Sequence, residues 1–377
     1  MRRLTFFLLI FLILMGINAN SQARAEMGAN LFRTAVGDTS LQKQLAATPK
    51  CSADAKTDPE RMLERLLRYL RMDSQSFYAD PNDTAAFPLT DGQKRFAEYL
   101  YQEISGFGGN ARVYMSPEYY VVYVHIPGNV VNVPSILFHS HLDVSCEAPG
   151  GEGKIHPVVH PNYNGGDILL DNGSILSPDS IEGKHLNNLR RGQTIITSDG
   201  STLLGGDDKC GVAICVSLIK MLLDRETPHG DICFIFSQNE DIGLAANRVD
   251  LSFFGNKLPD IMFDVDVDGE EAGHYGAENF TARGYYTMQP EACQLLENAG
   301  RKLGMTIKPT AVRGGTTASM MAAKGLPSGP SIYCGVQSAH STKEWVCVEE
   351  VVGARDLCLA IVDEVVTSNK KHRRPEW

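Results

Sequence analysis

The 377-residue chain is 43% hydrophobic and 21% charged, with 45 acidic against 35 basic residues and a net charge of −10. That negative balance argues against nucleic acid as a partner, since phosphates recruit Lys and Arg. Length and apolar content suffice to bury a sizeable core, as one large domain or two ordinary ones.

Arg2-Arg3, ten unbroken apolar residues from Phe6 to Met15 and the small-residue site Ala23-Arg24-Ala25 have the build of a cleaved secretory signal over residues 1–25. The apolar run falls well short of the ~20 residues that span a bilayer, and no second stretch suggests a span. An exported protein, periplasmic or secreted, is therefore expected, with no stable membrane span after cleavage. Loss of Arg2, Arg3 and Arg24 moves the net charge from −10 to −13. Nine cysteines, an odd number without a CxxC pair, define no disulfide connectivity. Cys146 and Cys210 stand near candidate ligands and read as small buried residues rather than thiolate ligands.

Residues 26–57 are polar without clear periodicity and read as a linker or loosely ordered arm. A single catalytic domain is expected over 58–370. Met62, Leu63, Leu66, Leu67, Leu70 and Met72 recur at helical spacing, and a second amphipathic helix is predicted from Asp91 to Ile104. Strands follow at 111–114 and 119–126. Ser135–Phe138 reads as a buried strand of a sheet covered on both faces. Residues 147–200, rich in Gly, Pro and Asn, read as a long excursion over a site rim. A helix from Cys210 to Leu223 precedes a strand at 231–236. Short strands are predicted near 261–265 and 331–334, and helices over 291–303 and 351–366. This alternation predicts an α/β fold, a three-layer sandwich around a mostly parallel central sheet.

Five acid or histidine clusters fall just after a predicted strand or where a loop enters a helix, the place where such sheets gather ligands. They are His141-Leu142-Asp143, Asp207-Asp208, Glu240-Asp241, Asp268 and His340. His141 and Asp143, two apart, emerge on one side of a strand end. The set suits a two-metal hydrolase, in which nitrogen and oxygen ligands hold two ions that activate water and polarise a carbonyl. One metal can take His141 and Asp268 and the other Asp241 and His340, with Asp207 between them and Glu240 free to accept a proton. Asp207-Asp208 reads equally as a helix cap. Asp264, Asp266 and Asp268 alternate on one face, a pattern that also fits calcium.

The segments SHLDVS (140–145), NYNGGDI (162–168), ILSP (175–178), TLLGGDDKCG (202–211), HGDI (229–232), NEDIG (239–243), VDGEEAG (267–273), ENF (278–280), RGGT (313–316) and AHSTKEW (339–345) together resemble the peptidase T-like di-zinc metallopeptidases. More distantly they resemble the wider family of carboxypeptidase G and aminoacylase. The resemblance runs in order across roughly residues 60–365. It implies His141 and Asp268 on one zinc, Asp207 as bridge, Asp241 and His340 on the second zinc, and Glu240 as general base. It implies Asp143 as the acid that orients His141 and Arg313 as a contact for a substrate carboxylate. Asp241 stands where peptidase T has glutamate, and Thr317 replaces the aspartate that usually follows RGGT. The lid and dimerisation domain that the family inserts before RGGT is missing, because Asp268 and His340 are only 72 residues apart.

These readings converge on an exported exopeptidase with two Zn2+ ions, for which Co2+ or Mn2+ can substitute. An aminopeptidase acting on short, tripeptide-like substrates is expected, with Glu240 deprotonating water activated between the metals. Loss of the dimerising domain favours a monomer. Two alternatives stand: a hydrolase of another amide, such as an N-acyl amino acid or cell-wall peptide, and a non-catalytic zinc-loaded peptide binder.

Overall fold

The computed structural model describes residues 57–77, 89–151, 153–225, 227–267, 274–276, 289–310 and 317–372. The expected signal and nearly all of the arm that follows it lie outside these residues. Helix α1 (Asp58–Leu70) opens with the Glu60 carboxylate accepting the Thr57 N–H at 2.7 Å. Helix α2 (Asp91–Ser105) opens with a reciprocal cap: Thr90 Oγ1 accepts the Gln93 N–H and Gln93 Oε1 accepts the Thr90 N–H. The strands β1 (Arg112–Met115), β2 (Val122–Ile126) and β3 (Ile136–His141) come next.

The expected rim excursion is more ordered than its composition suggests. It holds β4 (Val158–Tyr163), the hairpin of β5 (Ile168–Leu169) and β6 (Ile175–Leu176), a short 3-10 turn and β7 (Gln193–Thr197). Strands of two to six residues broken by Gly, Pro and Asn carry too little periodicity to stand out in sequence. Helix α3 (Gly206–Asp224), β8 (Ile232–Ser237), α4 (Ala245–Arg248), β9 (Ile261–Asp266) and β10 (His274–Gly276) continue the chain. It closes with α5 (Pro290–Lys302), β11 (Lys308–Thr310), α6 (Thr317–Ala322), β12 (Ser331–Tyr333), β13 (Val336–Gln337), β14 (Trp345–Cys347) and α7 (Val348–His372).

The main sheet has the order β1-β2-β8-β3-β9-β12-β10-β11, with β8, β3, β9 and β12 mutually parallel at its centre. A second, antiparallel sheet runs β13-β14-β7-β4. On the three central strands, alternate residues serve opposite faces. Ile136 and Phe138, Ile232, Phe234 and Phe236, and Ile261, Phe263 and Val265 pack under α1, α2, α3, α5 and α7. The Phe138 ring lies 5.6 Å from Phe234 and 5.8 Å from Phe263. Leu137, Cys233, Ile235 and Met262 face the other way, against α4 and α6. Burying each large side chain here contributes about 1.5–3 kcal/mol. The result is the expected three-layer α/β sandwich with a mostly parallel sheet.

Between β9 and β12 the described residues stay within this sandwich: β10 and β11 extend the main sheet, and Lys302 of α5 pairs with Asp363 of α7 at 2.7 Å. Among the described residues no helix is long and apolar enough to cross a membrane.

Candidate metal centre

The face of β3, β8 and β9 that carries Leu137, Ile235 and Met262 turns polar toward the strand ends. His139, Ser237 and Asp264 form a buried layer there: His139 Nδ1 lies 2.6 Å from Asp264 Oδ1 and Nε2 lies 2.8 Å from Ser237 Oγ. One step further on, His141 ends β3 and Asp266 ends β9. His141 Nε2 is 3.1 Å from Asp207 Oδ1 and 3.8 Å from Asp266 Oδ1.

Asp207 arrives from the opposite side, at the entry to α3. Its other oxygen, Oδ2, is 3.0 Å from His340 Nε2, which also lies 2.8 Å from Asp241 Oδ1. One carboxylate thus faces two histidines with separate oxygens, the disposition expected of a bridge. His340 sits between β13 and β14, so the smaller sheet closes the site, and Glu147 Oε2 stands 3.2 Å from its Nδ1. Potential donor atoms gather in three overlapping groups, each within 4.8 Å: His141, Asp207 and Asp266; His141, Asp143 and Asp241; Asp207, Asp241 and His340. Neither Cys146 nor Cys210 joins them.

The entry to α3 explains how a carboxylate is held so tightly. Gly205 takes φ +76°, open to glycine at no steric cost, and a Cβ on Gly206 would come within 2.7 Å of Val346. Buried Glu344 accepts backbone N–H groups from Leu204 (2.9 Å), Gly205 (2.8 Å) and Asp207 (3.0 Å). The two aspartates, which sequence left between capping and metal binding, divide the work. Asp208 caps α3 by accepting the Gly211 N–H at 3.0 Å, and it accepts the His141 N–H at 3.1 Å. Asp207 is thereby free to face the histidines.

Asp143 organises the neighbouring loop. Its carboxylate accepts the N–H of Glu240 at 3.0 Å and of Asp241 at 3.2 Å, and stands 3.5 Å from His141 Nδ1, whose nearer contact is the Asp143 carbonyl oxygen at 3.1 Å. Asn239, Ser338 and His340 all adopt positive φ, at 61°, 54° and 61°. Such strain in non-glycine residues costs of order 1–3 kcal/mol each and collects at functional sites. Buried Gln93 of α2 steadies Asn239 by donating to its Oδ1 at 2.6 Å. Glu240 accepts the Thr317 hydroxyl at 2.5 Å and belongs to none of the three donor groups.

Electrostatics follow from the crowding. Burial opposes charge on Asp207, yet hydrogen bonds from His141 and His340 hold its carboxyl well below the usual range. Hydrogen bonds to Asp207 and Asp241 push His340 up to about 12. Burial raises Asp241 to about 7 and lifts Glu240 well above an ordinary glutamate. Three or four carboxylates around two imidazoles leave an excess of negative charge, and Asp241 Oδ2 is buried without a hydrogen-bond partner. Nitrogen and oxygen donors with an orphaned carboxylate oxygen fit one or two divalent cations of zinc type.

The structure therefore brings together His141, Asp143, Asp207, Glu240, Asp241 and His340. Asp268 and Arg313 lie outside the described residues. Asp266, which ends β9, lies beside His141, with its Oδ1 3.8 Å from His141 Nε2. Sequence reasoning also missed Glu344, although it sits four residues after His340 inside AHSTKEW, and Thr317 as a partner of Glu240.

Residues 203–364 match the family model described as Peptidase family M20/M25/M40. Peptidase T of Shewanella pealeana is 39% identical over 227 residues, 59% of this chain and 51% of that protein. Peptidase T of Vibrio parahaemolyticus is also 39% identical, with the same coverage. The chain spans about half the length of these curated relatives. Among solved structures, aminopeptidase PepT of Bacillus cereus superposes with a TM-score of 0.60 at 17% identity, covering 82% of this chain and 99% of that one. A tripeptidase of Staphylococcus aureus gives 0.56 at 14%, covering 83% and 100%. At these identities the superpositions speak for the fold.

Proposed function

We propose that this chain, which carries a Peptidase M20 domain and is similar to peptidase T, is an exported metal-dependent aminopeptidase acting on short peptides such as tripeptides. The observation that carries the reading is Glu240, a carboxylate beside a metal-competent cluster yet outside its donor groups. In a pure binding protein that acid would have no task. Export rests on the leader-like residues 1–25, and the short path from β9 to β12 supports a catalytic domain without an inserted lid, and hence a monomer.

His141, Asp207 and Asp266 would hold one zinc ion, and Asp207, Asp241 and His340 a second. Zinc there supplies Lewis-acid polarisation of a carbonyl and ionised water at neutral pH. Glu240 accepts the proton of the attacking water and hands it to the departing amine. Burial favours this role by raising the carboxyl well above an ordinary glutamate, which makes it a stronger proton acceptor. Asp143 fixes the backbone of Glu240 and Asp241 together, so acid–base group and ligand move as one.

Glu240→Gln in the full chain tests this. Turnover of alanyl tripeptides, followed by mass spectrometry of the products, should fall by about 10²–10⁴-fold while zinc content stays at the wild-type value. Full activity in the variant refutes the assignment. Cleavage confined to N-acyl amino acids overturns the substrate class, and tight peptide binding without cleavage under zinc, cobalt or manganese overturns the activity.

A further inference from the structure

The Glu240 side chain projects from a loop and has three freely rotating torsions, so something must hold its carboxylate in place. Asp143 holds only the backbone, through the Glu240 N–H at 3.0 Å. Among the described residues, the Thr317 hydroxyl is the hydrogen-bond donor that reaches the carboxylate, at 2.5 Å from Oε1. Thr317 is fully buried, so water does not compete for the hydroxyl. A short hydroxyl–carboxylate contact in a dry setting is among the stronger hydrogen bonds a protein makes.

Thr317 is itself anchored. It begins α6, and the next residue, Ala318, donates its N–H to Asp264 Oδ2 at 3.1 Å. Asp264 Oδ1 meets His139 Nδ1 at 2.6 Å, and His139 Nε2 meets Ser237 Oγ at 2.8 Å. Ser237 closes β8, three residues before Glu240. The start of α6 is thus tied to β9, β3 and β8 through groups that are all buried. Both ends of the Thr317–Glu240 contact stand on one polar layer beneath the site.

We infer that Thr317 is a positioning residue for Glu240: its hydroxyl, set by the Asp264–His139–Ser237 layer, holds the carboxylate where it exchanges a proton with water and the leaving amine. The inference rests on the function proposed above. It separates the hydroxyl from the bulk of the side chain, since a structural role needs only the methyl group and the volume.

Three variants of the full chain separate these. Thr317→Val keeps the shape and removes the hydroxyl, Thr317→Ala removes it independently of how valine packs, and Thr317→Ser restores it. On alanyl tripeptides T317V and T317A should lose about 10- to 100-fold in kcat, as expected for a misplaced reacting group, with KM and zinc content unchanged. T317S should recover most of the wild-type kcat. In crystals of T317V the Glu240 carboxylate should leave its wild-type position. Wild-type kcat in T317V and T317A, or a T317S as impaired as T317V, overturns the inference. An unmoved Glu240 in T317V crystals overturns it as well. A wild-type chain that loads zinc yet cleaves no peptide would instead sink the proposed activity, and the T317V crystals would still decide the role of Thr317.

Discussion

Glu344→Gln perturbs the metal centre without touching a donor atom. Glu344 Oε2 accepts two N–H groups, from Leu204 and Gly205, while Oε1 accepts that of Asp207. An amide keeps one oxygen. Its better orientation retains the Leu204 and Gly205 contacts and turns an NH2 group toward the Asp207 N–H, leaving that buried donor unsatisfied at a cost of about 1–3 kcal/mol. The opposing effect is of similar size. Burial raises the Glu344 carboxyl to about 7, above its unfolded value, so the stability it contributes is complete below pH ~4.5 and lost as pH rises through 7. At pH 8 the neutral amide relieves this penalty, about 3 kcal/mol by the size of the shift. Global stability at pH 8 should therefore change by less than about 2 kcal/mol in urea unfolding, and its decline between pH 4.5 and 7 should flatten. Zinc affinity has no such compensation, because the Asp207 backbone moves. Competition with a chromophoric chelator should show it weakened by about 10- to 100-fold, as for other residues that orient metal ligands. Wild-type zinc affinity in E344Q would refute the reasoning.

Two further substitutions probe the surroundings. Lys209 is fully buried, with Nζ on the Met72 carbonyl at 2.5 Å, and burial pulls its ammonium down to about 8. The unfolded chain keeps that proton longer, so wild-type stability should rise relative to Lys209→Met by about 2–3 kcal/mol between pH 8 and 10; parallel stability–pH curves would contradict this. Phe138→Ala, which empties the space between Phe234 and Phe263, should lower unfolding free energy by about 3–5 kcal/mol in urea titration, and a loss under 1 kcal/mol would mean the core closes over the gap.

The central sheet was legible because β3, β8 and β9 are short apolar runs that end in chemistry-bearing residues, and α2 and α3 carry long helical patterns. The predicted bounds of α2 fell within one residue of those observed. His141, Asp143, Asp207, Asp241 and His340 were legible as types at strand and loop ends. Less legible was anything decided by a distant partner. Asp264, Asp266 and Asp268 share one phase and all suit a ligand by composition, so sequence alone does not choose among them; Asp266 stands out through its contact with His141, 3.8 Å from Nε2. Glu344 acts on backbone N–H groups 137 to 140 residues away and Thr317 on a carboxylate 77 residues away, a relation that no local pattern carries. The sheet of β4, β7, β13 and β14 was hidden because its strands come from two separated segments and are short.

The alternation along β3 ties chemistry to strand pairing. A one-residue slip of β3 against β8 and β9 would exchange its faces, turning Ser140 toward the carboxylates and driving His141 among Phe138's aromatic neighbours. Such a mispaired sheet has no imidazole to offer one half of the cluster, and only the correctly paired one gains the free energy of ion binding. Metal capture would thus act as a proofreader of the sheet, lifting the native pairing above its nearest competitors by the affinity of the ion it alone can hold.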